Sequence, residues 1–148
     1  PKIKNLEFIS EAIWTENGVK KFFVNDDYNS NKEYSGDGSL TNFRKTNTFI
    51  YITCHDLKYY MKKLNINEID VLKMDIEGAA ISIIDYCLNN KLYPKQITGE
   101  IEIPQIDFED TISKLENLLS KLKSKYSFFL INQKNRFQKF EFLMVRNN

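Results

Sequence analysis

Ile69-Asp70-Val71-Leu72-Lys73-Met74-Asp75-Ile76-Glu77-Gly78-Ala79-Ala80 decides the architecture of this chain. An apolar run that stops at two carboxylates and a glycine, then gives way to helix-forming residues, reads as a buried strand, a turn and a helix. In open α/β sheets ligands collect outside the carboxyl ends of the strands, so acids placed there are candidates for chemistry rather than solubility. After Gly78, the residues Ala80, Ile83, Ile84, Cys87 and Leu88 recur at helical spacing, and Asn89-Asn90 with Pro94 supply a stop. Ile97 to Ile103 reads as the next strand. Strand, helix, strand is the unit that builds parallel sheets.

Working outward, Leu6 to Ile13, Val19 to Asn25 and Thr48 to Cys54 are expected strands, each rich in aromatic or β-branched residues. The polar stretch Asp26 to Thr46 between the last two is, at that length, expected to be either functional or disordered. His55-Asp56 offers a helix cap ahead of Leu57, Tyr60, Met61 and Leu64, which share one helical face. Downstream, Asp107 can cap a helix whose apolar face is Ile112, Leu115, Leu118, Leu119 and Leu122 and whose solvated face carries Lys114, Glu116, Lys121 and Lys123. Tyr126 to Asn132 and Phe137 to Val145, joined by the basic turn Gln133 to Arg136, predict an antiparallel hairpin.

Composition narrows the class. A chain of 148 residues, 42% hydrophobic and 28% charged, suits one soluble globular domain. Its 21 basic and 20 acidic side chains nearly cancel, so no global field recruits nucleic acid or an anionic membrane. Lys134, Asn135, Arg136, Phe137 and Lys139 mix bases with aromatics, but strand alternation accounts for the aromatics, and no nucleic-acid partner is expected. No apolar run is long enough to cross a bilayer, and no signal peptide stands at the start. Cys54 and Cys87 read as small buried hydrophobes in a reducing, cytoplasmic compartment. With His55 as the single histidine, no short Cys or His spacing marks a metal centre, and no metal is expected.

Several side chains remain as candidates for chemistry. Asp75 and Glu77 either point into the space above the sheet edge or cap the following helix, where acids are favoured. Gly78 lets the backbone enter that helix without a Cβ clash. Glu100 and Glu102 lie two apart on one strand and face the same side. That pairing calls for a cation, a donor-rich substrate or open solvent nearby. Trp14 either stacks on a flat ligand or packs at the core. Lys73 extends its stem along the sheet to an edge or to a nearby acid, and His55 is read as a helix-start residue.

Leu72, Lys73, Asp75, Glu77, Gly78 and Ala79 together resemble the Leu-Lys-x-Asp-x-Glu-Gly-Ala-Glu signature of the FkbM-like methyltransferases, with Ala80 in place of the last Glu. Phe8 to Ile13, the segment with Gly36, Gly38, Ser39 and Leu40, and Tyr93 to Glu102 are similar to further pieces of that family. The resemblance implies an α/β fold: a partial Rossmann-like class I methyltransferase sheet with helices on its faces and a C-terminal antiparallel hairpin. It also implies S-adenosylmethionine as cofactor and a hydroxyl on a sugar, glycan or small metabolite as methyl acceptor. On it, Asp75, Glu77 and Glu100 are the catalytic carboxylates. Ala12, Ile13 and Trp14 lie against the cofactor, and Ser39 and Glu102 lie on the acceptor side. Glycines 18, 36, 38, 78 and 99 form no glycine-rich nucleotide turn. Residues 1–148 are therefore expected to be one methyltransferase-like domain without its N-terminal cofactor-binding strands. A scaffold that kept the fold and lost catalysis is the alternative, favoured by Ala80.

Overall fold

In the computed structural model, which describes residues 6–25, 38–42, 45–103, 108–132 and 139–147, the strands divide between two sheets. β1 (Ala12–Ile13), β2 (Gly18–Phe23) and β3 (Phe49–His55) form the first, in the order β1-β3-β2, with β1 parallel and β2 antiparallel to β3. β4 (Val71–Met74), β5 (Gln96–Glu102), β6 (Tyr126–Asn132) and β7 (Lys139–Arg146) form the second, in the order β4-β5-β7-β6. β4 and β5 are parallel, while β7 runs antiparallel to both β5 and β6. Three helices accompany them: α1 (Leu57–Lys63), α2 (Ala80–Asn89) and α3 (Phe108–Leu122).

The strand expected over Leu6 to Ile13 shrinks to its last two residues, a correction with a simple cause. Only Ala12 and Ile13 find partners, at Cys54 and His55 of β3. Upstream no described strand pairs the backbone, and Leu6 and Phe8 stay 75% and 88% exposed. The expected caps and stripes fare differently. Asp56 is the N-cap of α1 and accepts the Tyr59 amide at 2.8 Å. Leu57 and Tyr60 are buried beneath it, whereas Leu64 falls beyond its end and is exposed. The expected cap Asp107, the turn Gln133 to Arg136, and residues 26–37 and 43–44 of the polar stretch lie outside the described residues.

α2 buries Ala80, Ile83, Ile84 and Cys87, as its spacing requires, and α3 buries Leu118 and Leu122. Both close over Ile97 and Ile101 of β5 and Phe142 and Met144 of β7. Burial pushes the Cys87 thiol up to about 12, and it raises that of Cys54, so both free cysteines stay protonated and inert at neutral pH. No helix among the described residues is long and apolar enough to cross a membrane.

Tyr126 opens β6 with a buried hydroxyl that donates to the Pro94 carbonyl at 2.8 Å, tying the last hairpin to the approach into β5. Tyr126→Phe removes that donor from a buried setting. It should cost about 1 to 2 kcal/mol in urea denaturation, with the denaturant slope unchanged.

Candidate active site

β4 stops at Met74, one residue before the expected position, so Asp75 lies just beyond the strand and is exposed. Beside it a hollow of about 410 Å³ opens between the two sheets. β1 is the last strand of one sheet and β4 of the other, and both contribute to its walls. The lining runs from Glu11, Ala12 and Ile13, past Gly38, Ser39 and Leu40, to Leu72 through Ile76. Ala79 and Ile83 close it from the start of α2. Volume, apolar walls and a few polar groups are those of a small-molecule pocket.

The signature turn has a distinct shape. The Ala79 amide donates to the Ile76 carbonyl at 3.2 Å, and the two residues between, Glu77 and Gly78, have φ of +42° and +81°. A four-residue turn with both central residues at positive φ suits glycine second, and leaves Glu77 in a conformation that long L side chains avoid. Ala79, not an acid, occupies the N-cap of α2. Neither Asp75 nor Glu77 holds the cap position, and the Asp75 carboxylate has no hydrogen bond or ion pair among the described residues. Ala80 is 2% exposed and belongs to the core, so a small residue there is accounted for by packing.

The other expected site residues divide into three groups. Ala12, Ile13 and Ser39 share the hollow with Asp75. Trp14 instead packs against the core cluster, while its amide donates to the His55 carbonyl at 2.9 Å. Glu100 and Glu102 face one side of β5, and the cation their pairing calls for is Lys139. Its ammonium contacts the Glu100 carboxylate and lies 3.6 Å from that of Glu102. The bond to Glu100 holds the Lys139 amine above its ordinary value, and the charges of Glu102 and Glu77 add to this, so Glu77 lies within electrostatic reach of the same lysine.

A raised amine favours folding fully below the ordinary lysine value and loses that contribution as pH climbs through the raised one. Lys139→Met should therefore cost about 1 kcal/mol from neutral pH up to about pH 10. Above that the gap to the wild type should close, as a series of denaturation curves against pH would record.

Three participants were not singled out from sequence. Glu11 lines the hollow and accepts the Tyr60 hydroxyl at 2.9 Å, with Lys63 at 3.8 Å and His55 Nε2 at 4.0 Å. Burial, then that bond to Glu11, pushes the Tyr60 phenol far above its ordinary value. Thr41 hydrogen-bonds to the turn at Glu77, and Lys139 holds the Glu100 pair. The available signals were an acid directly before Ala12, and a Ser-x-Thr pair whose hydroxyls share a face on an extended chain.

A family model described as the methyltransferase FkbM domain matches residues 4–130, and the chain belongs to that family. No curated protein and no solved structure matches the chain. Family membership suggests a methyltransferase.

Proposed function

We propose that this chain is an S-adenosylmethionine-dependent methyltransferase domain that methylates a hydroxyl on a sugar, a glycan or a small metabolite. A single observation carries the proposal: the first acid of the signature, Asp75, lines the same hollow as the Ala12-Ile13 edge that we assign to the cofactor. The order β4-β5-β7-β6, with β7 antiparallel between its neighbours, supports assigning the second sheet to the class I methyltransferase arrangement.

The lining fits the chemistry of the cofactor. Ala12 and Ile13 offer small apolar surface to a flat ring, and the Glu11 carboxylate, steadied by Tyr60, can accept from hydroxyl or amine donors. Asp75 brings negative charge to the side of the hollow where a cationic sulfonium would be welcome. When bound, the cofactor supplies an activated methyl group. Methyl transfer to a hydroxyl is an in-line displacement, so the residues of this chain position two reactants and accept one proton. Asp75 is the acid assigned to that proton, with Glu77 beside it. Glu100, held by Lys139, is the third acid assigned to the reaction and Glu102 is assigned to orienting the acceptor's hydroxyls, although both stand outside the residues that line the hollow.

Calorimetry with S-adenosylmethionine on the full-length protein tests the proposal. Binding heat that S-adenosylhomocysteine competes away is the expected result. No heat and no competition would overturn it in favour of a fold retained as a scaffold.

A further inference from the structure

We propose that Ser39 and Thr41 form a clasp that holds the Glu77-Gly78 turn in its left-handed shape, which makes both of them positioning residues. The functional weight of the clasp rests on the assignment of Glu77 to the acceptor side.

Glu77 at φ +42° is strained in a way its neighbour Gly78 is not. Such a conformation persists only where the surroundings over-determine it. Here the surroundings are two hydroxyls from a distant loop. Ser39 Oγ and Thr41 Oγ1 both donate to the Glu77 carbonyl, the second at 3.3 Å. The Thr41 amide braces the pair by donating to Ser39 Oγ at 3.1 Å, which holds the two hydroxyl oxygens 3.0 Å apart. Ser39 is 5% exposed, so these bonds form away from water, where a lost partner is costly.

The clasp has a firm base. The Ser39 amide donates to the Phe23 carbonyl at 2.9 Å and its carbonyl accepts the Phe23 amide at 2.8 Å, which fastens the loop to the end of β2. Through this one residue the first sheet grips the turn that follows β4 of the second. The serine hydroxyl gives its single proton to Glu77, so its contribution to the hollow is to fix the wall, with the signature acid carried on it.

A simpler role, anchoring the loop alone, makes a different prediction. Glu77→Gly keeps the carbonyl and removes the cost of positive φ. If the clasp holds a strained turn, Ser39→Ala with Thr41→Val should lower the Tm by about 5 °C in the wild-type background but by less than about 2 °C with Glu77→Gly present. Amide exchange at Ala79 should rise at least about tenfold in the first background and stay level in the second. Ser39→Thr, which retains a hydroxyl, should restore wild-type exchange.

Equal losses in both backgrounds, or no loss in either, would overturn the clasp. Should the double substitution fail to fold, Thr41→Val alone, which removes the longer of the two bonds, runs through the same cycle with the same criteria. Neither readout requires cofactor or methyl transfer, so failure of the clasp and failure of the enzymatic assignment are seen separately.

Discussion

Gly99→Ala should destabilise the fold by roughly 2 to 6 kcal/mol. Gly99, in the middle of β5, pairs with Met74 at the end of β4, and an added Cβ would stand 1.9 Å from the Met74 carbonyl oxygen and 2.8 Å from its carbon. Both obstacles are backbone, so no side-chain rotation relieves the clash. The φ of +158° is, besides, one that L residues rarely adopt. Overpacking of this kind costs about 1 to 3 kcal/mol, and a strained backbone conformation adds about as much. A total of roughly 2 to 6 kcal/mol is a large part of a typical domain's 5 to 15. The strands would have to part next to Asp75, so any folded remainder should also lose the shape of the hollow. Urea denaturation followed by circular dichroism decides the matter. A variant within about 1 kcal/mol of the wild type would mean that β4 and β5 do not approach this closely.

What sequence reasoning could reach was what local spacing controls. The stripe of α2 and the hairpin of β6 and β7 follow from periodicity, because each element buries one face of its own. β1 shows the limit of that logic. Its aromatic and aliphatic residues have strand character from Leu6 onward, yet a strand exists only where a partner does, and β3 reaches it at Ala12 and Ile13 alone. The division into two sheets is invisible for the same reason, since sheet membership is set by pairings between distant segments.

Within the site, Asp75 was legible from the way an apolar run ends in an acid, although β4 proves to be an edge strand that buries only Leu72 and Met74 rather than the buried strand expected. The clasp was not, because Ser39 and Glu77 lie 38 residues apart and the contact uses a carbonyl, which sequence does not distinguish. Lys139 is a similar case. It read as one base in a stretch mixing bases with aromatics, and only the register that sets it opposite Glu102 makes it the counter-ion of two carboxylates.

Asp75→Asn should separate catalysis from folding. The substitution keeps the shape of the side chain and removes its ability to take a proton. Asp75 is exposed, Ala79 rather than Asp75 holds the cap of α2, and the carboxylate bonds to no described residue, so the Tm should stay within about 2 °C of the wild type. Cofactor affinity should fall only modestly, because the charge facing the sulfonium is lost while Glu11, Ala12 and Ile13 are untouched. The loss should fall on kcat for methyl transfer, by about 100-fold to 10,000-fold, the usual worth of a positioned base. Transfer of labelled methyl from S-adenosylmethionine to whichever member of a sugar and glycan panel supports turnover provides the measurement. A fall in kcat with KM steady identifies a group that acts in the transition state, whereas a rise in KM alone would make Asp75 a binding residue. Undiminished kcat would remove the proton-accepting role from Asp75 and leave Glu77, two residues further on, as the acid to test by the same substitution logic with Gln.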